Sequence, residues 1–112
     1  MSLTLTFDDR IAHLIIDRSD KRNAFTRAMW EALPELVGRA MDNPFVRVMI
    51  LRAAQPGSFC AGADIAEFGA GARDPEWRTR NQAAIRRAME TLARAPKPVI
   101  AQVHGWCVGG GT

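Results

Sequence analysis

Residues 46–68 read VRVMILRAAQPGSFCAGADIAEF. The first six, Val46 to Leu51, are apolar apart from Arg47 and include Val46, Val48 and Ile50, which predicts a central strand. Gln55 to Ala63 reads as a glycine-containing loop. Asp64-Ile65-Ala66-Glu67 has the form of a capping box, with an acid at the cap and Glu three residues later. A short helical turn is therefore expected to start at Asp64, with Gly69 to Asp74 a flexible loop after it. Strand, loop and helix start follow one another directly, and in α/β sheets ligand sites lie beyond the carboxyl ends of strands.

The same succession recurs at residues 98–111, PVIAQVHGWCVGGG. Val99 to Val103 predicts a strand, and Gly105 to Gly111 a glycine-rich turn. GWCVGGGT looks like the entry into a helix, yet the sequence stops at Thr112. The chain thus reads as a truncated piece, residues 1–112 being the incomplete N-terminal part of a single domain.

The rest of the chain alternates strands and helices. Ser2 to Phe7 alternates as an edge strand does, and Ile11 to Asp17 is apolar enough for a strand buried on both faces. Asp8-Asp9-Arg10 joins them as a tight turn, which suggests a hairpin. Thr26 can cap a helix running to about Met41, with Met29, Leu33, Leu36, Val37, Ala40 and Met41 on one face. Pro34 inside it should kink that helix or limit its first straight segment. Asp74 followed by Pro75 starts a second helix running to about Ala95, with Trp77, Ala84, Ile85, Ala88, Met89 and Leu92 inward. This order predicts an α/β fold with parallel pairing and right-handed crossovers.

Composition excludes several classes. The chain has 112 residues, 47% hydrophobic and 24% charged, as in an ordinary soluble domain rather than a disordered chain. The longest stretch without Asp, Glu, Lys or Arg, Pro98 to Thr112, contains Gln102, His104 and four glycines and cannot span a membrane. The N-terminus lacks the basic and apolar regions of a signal peptide, so the protein is expected to be cytoplasmic, with Cys60 and Cys107 as free thiols. No Cys/His cluster suggests a metal. Net charge is +3, and the arginines between Arg73 and Arg94 read as the wet face of a helix, so nucleic acid is not an expected partner.

Glycine and alanine let a ligand approach the main chain, and a helix start leaves backbone N–H groups without partners. Two such loops side by side can aim two donors at one oxygen, an oxyanion hole that stabilises charge developing on a carbonyl. At this point the residues carry a resemblance. FCAGADIAEF followed by PVIAQVHGWCVGGG resembles the crotonase superfamily of enoyl-CoA hydratases and isomerases. Asp20-Lys21-Arg22-Asn23-Ala24-Phe25 and VRVMILRA are similar as well. The resemblance runs through nearly the whole chain but covers only the N-terminal part of such a domain.

The resemblance implies a crotonase-like spiral of ββα units, truncated before its C-terminal half. It implies an acyl-CoA or enoyl-CoA substrate, with coenzyme A part of the substrate and no separate cofactor or metal. The main-chain N–H groups of Ala63 and Gly110 would hold the thioester oxygen. Lys21, Arg22 and Asn23, with the backbone of Ala61, Gly62, Asp64 and Ile65, would line the coenzyme A part. The catalytic Glu of hydratases would follow Thr112, outside the sequence, and Ala66 stands where many hydratases have Lys. A trimer or hexamer is implied for the full-length protein.

Each such residue also has an ordinary structural reading. Asp64 and Glu67 are helix caps before they are an acid/base pair. His13 and His104 read as structural, Cys60 and Cys107 as small packing residues, and Trp106 as packing its turn. The competing functional reading is a non-catalytic coenzyme A-binding or assembly module; an RNA-binding side role rests only on the basic helix.

Overall fold

The computed structural model describes residues 2–71 and 73–111, with Gly110 described only by its place in the last turn. Ala72, in the expected loop, and Thr112, after the glycine turn, lie outside the described residues. The strands are β1 (Leu3–Asp8), β2 (Ile11–Ile16), β3 (Val48–Ala53) and β4 (Val99–Gln102). The α-helices are α1 (Arg27–Asp42), α2 (Ile65–Gly71) and α3 (Pro75–Ala93). The four strands form one sheet in chain order. β1 and β2 pair antiparallel as a hairpin, while β2–β3 and β3–β4 are parallel.

The hairpin turns at Asp9, whose φ of 54° is the left-handed conformation that short polar side chains tolerate. β2 buries Ala12, Leu14 and Ile16, while Ile11, His13 and Ile15 are only half-buried. It is therefore not buried on both faces as its composition suggested. The register stacks Leu14 against Leu51 and Ile16 against Ala53 on the face that receives the helices. The opposite parity puts Ile11 beside Val48, and His13 beside Ile50 beside Ile100.

α1 starts where Thr26 Oγ1 accepts the Met29 amide at 3.3 Å. It buries Met29, Leu33, Val37, Ala40 and Met41, as its spacing predicts, and Trp30 and Pro34 as well. α1 runs unbroken through Pro34. A proline inside a helix costs about 3 kcal/mol, whereas each large side chain fully buried contributes roughly 1.5–3 kcal/mol. The packed face therefore outweighs the missing hydrogen bond. α3 is capped by Asp74, whose Oδ1 accepts the Glu76 amide at 3.0 Å. It packs on α1 and buries Ala84, Ala88 and Asn81, while Arg78, Arg80, Arg86 and Arg87 face solvent.

Three further expectations are corrected. β3 begins at Val48 rather than Val46, because the Val46 amide donates to Asn43 O at 3.1 Å in the turn that leaves α1. The segment expected as a loop from Gly69 is helical to Gly71. Phe68 meets Trp77 edge to face at 6.3 Å, and a side chain at Gly71 would run into the Trp77 ring, so packing on α3 holds that last turn. The capping box at Asp64 is only half made. Asp64 Oδ1 accepts the Glu67 amide at 2.9 Å, but the Glu67 carboxylate turns away and accepts the Arg27 amide at 2.6 Å. Glu67 thus caps the start of α1, where the helix dipole favours an anion.

Between α1, α3 and the β3–β4 side of the sheet lies an apolar cavity of about 180 Å³. Trp30, Leu33, Leu51, Met89 and Val99 contribute to its wall. Trp30 Nε1 is buried and has no hydrogen-bond partner among the described residues.

Candidate functional site

Both glycine loops leave the carboxyl ends of parallel strands, residues 54–64 after β3 and 103–111 after β4. They run side by side. Phe59 and Cys60 both donate to the Trp106 carbonyl, at 2.9 and 3.1 Å, and Val108 donates to the Cys60 carbonyl at 3.1 Å. Gly105 has φ +64°, and a β-carbon on it would overlap the Gly57 carbonyl oxygen. Only glycine lets the loops approach so closely there. Gly109, at φ +54°, comes close enough to Gly62 that an added β-carbon would stand 3.6 Å from its Cα. Gly110 lies in the following 3-10 turn, Gly109–Gly111.

The first loop is also tied to the segment after β2. Phe25 and Ala63 form a one-residue parallel bridge. The Phe25 amide donates to Gly62 O and the Asp64 amide to Phe25 O, both at 2.8 Å. In such a bridge the neighbours of Ala63 supply both bonds, so its own N–H points away from Phe25. Among the described residues this N–H has no acceptor, and Ala63 is exposed. Ala63 lines a groove of about 250 Å³ together with Lys21, Arg22, Ala61, Asp64 and Ile65.

That groove gathers six of the residues marked in the sequence. Asn23 has a different place. It is 2% exposed, its Oδ1 accepts the Arg18 amide at 2.9 Å, and its Nδ2 donates to Ser58 O at 2.8 Å. It fastens one loop to the other segment rather than facing the groove. Gly62 is buried, its amide 3.4 Å from Cys60 Sγ. Lys21 and Arg22 are exposed at the rim.

Sequence reasoning missed Arg18. Its guanidinium lies 2.7 Å from Asp64 Oδ2 and donates to Ala24 O at 2.8 Å. The Glu67 amide and then the Arg18 guanidinium hold the Asp64 carboxyl below the usual carboxylate range. No local signal marks Arg18, because its partner lies across the fold. Trp106 is 63% exposed, so its ring does not pack the turn as expected; its carbonyl does the holding. His13 Nδ1 accepts the Arg52 Nε–H at 3.2 Å, a structural role.

Among the described residues, no helix is long and apolar enough to cross a membrane. Residues 6–112 match the family model described as enoyl-CoA hydratase/isomerase. The human mitochondrial Delta(3,5)-Delta(2,4)-dienoyl-CoA isomerase is 31% identical, over 90% of this chain and 33% of its own length. The peroxisomal enzyme of that name from Arabidopsis thaliana is 31% identical, over 93% of this chain and 41% of its own. Those names place the relatives in mitochondria and peroxisomes, which lends no support to a cytoplasmic location. The crystal structure of a putative enoyl-CoA hydratase/isomerase family protein from Hyphomonas neptunium superposes with a TM-score of 0.94 at 33% identity. It is covered over 42% of its length by 99% of this chain. An enoyl-CoA hydratase from Bacillus anthracis gives 0.90 at 28% identity. The chain spans between a third and two fifths of these curated relatives, and the α/β architecture is that part of the crotonase fold. The chain therefore belongs to the enoyl-CoA hydratase/isomerase family of the crotonase superfamily.

Proposed function

We propose that the chain binds an acyl-CoA thioester and stabilises its enolate, in an enzyme that hydrates an enoyl-CoA or shifts its double bond. The observation that carries this is the groove that Ala63, whose N–H has no acceptor among the described residues, lines together with Lys21 and Arg22. Cations at the rim suit the phosphates of coenzyme A. The Ala63 and Gly110 amides would hold the thioester oxygen. An enolate oxygen carries more charge than the ground-state carbonyl, so fixed donors favour it differentially. Coenzyme A enters with the substrate, and no further cofactor is required. In the whole protein the partner copies would complete a trimer or hexamer.

A second reading, a coenzyme A-binding module without chemistry, is favoured by one observation. Asp64 is paired with Arg18, and Glu67 caps α1, so neither carboxylate is free to move protons. The 112-residue chain is therefore expected to bind crotonyl-CoA yet show little or no hydration of it. Calorimetric titration with crotonyl-CoA and with free coenzyme A tests the site. Ala63→Pro deletes the proposed donor, and neither bond to Phe25 uses the Ala63 N–H. It should weaken crotonyl-CoA about tenfold, the worth of one hydrogen bond, and leave free coenzyme A unchanged. Equal loss for both ligands, or no binding by the parent chain, overturns the assignment; robust turnover would mean a proton-transfer group elsewhere in the chain.

A further inference from the structure

The two thiols stand opposite each other across the loops. Cys60 and Cys107 are direct partners in a one-residue parallel bridge. The bonds from Cys60 to Trp106 and from Val108 to Cys60 bracket Cys107, which fixes the register. Paired strands lie roughly 4.8 Å apart and residues in register leave the same face, while a disulfide spans Cα separations of about 4.4–6.8 Å. Gly111 touches both residues. Its carbonyl accepts the Cys107 thiol at 3.0 Å, and a β-carbon on it would stand 2.8 Å from Cys60 Cβ. Both thiols are free, Cys60 buried and Cys107 half-buried. Burial pushes the Cys60 thiol up, the Gly62 amide pulls it down, and neighbouring Cys107 adds a smaller push upward.

We propose that Cys60 and Cys107 form a dithiol site that a low-molecular-weight disulfide oxidises to an intramolecular disulfide, locking the two glycine loops together. Exposure sets the order of events. The Cys107 thiolate attacks one sulfur of the small disulfide, forming a mixed disulfide and expelling one small thiolate, which takes a proton from water. Cys60 then gives up its proton and attacks Cys107 Sγ, forming the Cys60–Cys107 bond and expelling the second small thiol. Two protein thiols are oxidised, and one small disulfide is reduced to two thiols. The inference rests on the loop register alone and does not depend on the acyl-CoA reading.

The test incubates the 112-residue chain with excess oxidised glutathione at mildly alkaline pH, then counts thiols after denaturation and weighs the chain. The expected product has no titratable thiol, a mass about 2 Da below the reduced chain, and one cross-linked peptide pair containing Cys60 and Cys107. Its melting temperature should lie above that of the reduced chain, because the bond closes a long loop. Cys60→Ser should stop at the mixed disulfide on Cys107, and Cys107→Ser should keep its buried thiol unreacted. Cys107 is only half-buried, so the second variant is expected to melt like the reduced parent, which checks that it folds. A lasting glutathione adduct on the parent chain, covalent dimers in place of the internal bond, or two thiols still titratable would each overturn the proposal.

Discussion

Asp64 accepts the Glu67 amide through one oxygen and faces the Arg18 guanidinium through the other, so its charge is stabilised from two sides. The carboxyl is largely buried, and its pKa lies below the ordinary value in the folded chain. A group depressed on folding contributes stability that is fully present above its unfolded pKa, about 3.9 for Asp. That contribution fades as pH falls through the lower folded value. Melting temperature measured from neutral pH down to about pH 2.5 should therefore drop with a component that Asp64→Asn lacks, the variant being less stable at neutral pH. Parallel curves for the two proteins would show that Asp64 contributes nothing to the acid limb. Arg18→Ala should cost on the order of 1–3 kcal/mol, since it removes a charge-assisted partner from Asp64 while the Glu67 amide remains. By contrast Arg80 and Glu76, paired at 2.7 Å on the exposed face of α3, contribute little because water screens them.

At the scale of elements, the decisive contact is between the two loops. Gly105 has a left-handed backbone against the Gly57 carbonyl, so Gly105→Ala meets both strain and overlap. We expect it to destabilise the chain by roughly 2 kcal/mol or more, read as a lower denaturation midpoint. Gly38, whose added β-carbon would meet nothing within 4 Å, is the control, and Gly38→Ala should be neutral or stabilising. Helix starts were legible in the sequence because caps are local: Thr26 and Asp74 each sit a few residues from the amide they bind. The start of β3 was not, because Val46 is as apolar as a strand residue but is buried in a turn. The length of α2 was hidden because Gly69 and Gly71 are poor helix formers, and what supports the last turn comes from beyond it: the Trp77 ring beside Phe68 and Gly71, and the Asp74 amide on the Gly71 carbonyl. The groove residues Lys21, Arg22, Ala61, Ala63, Asp64 and Ile65 are marked in the sequence through the motif that carries the family resemblance. The reach of Asn23 to Ser58, of Arg18 to Asp64 and of Glu67 to Arg27 joins residues distant in sequence, and no local pattern encodes it.

At the scale of the molecule, one patch of exposed apolar side chains lies along β4 and the loop after it, while Phe7, Phe45, Ile65 and Phe68 are exposed elsewhere. Ile100, Val103, Trp106 and Val108 are 53, 50, 63 and 43% exposed, and β4 is an edge strand. An unpaired edge beside apolar side chains is a template for association. Sedimentation should find the 112-residue chain self-associating at micromolar concentration, and Ile100→Lys should shift it toward monomer. A parent chain that stays monomeric at high concentration would count against this. The orphaned Trp30 indole has a consequence of another kind. With its ring buried at the wall of an apolar cavity and its N–H without a partner among the described residues, its fluorescence should be strongly blue-shifted, whereas the solvated ring of Trp106 should emit to the red and be quenched readily by iodide. Trp77, beneath the Arg27 guanidinium at 5.9 Å, should fall between them. The chain thus carries an intrinsic optical gauge in which a hydrophobic guest entering the cavity perturbs the blue emission and leaves the red band unmoved.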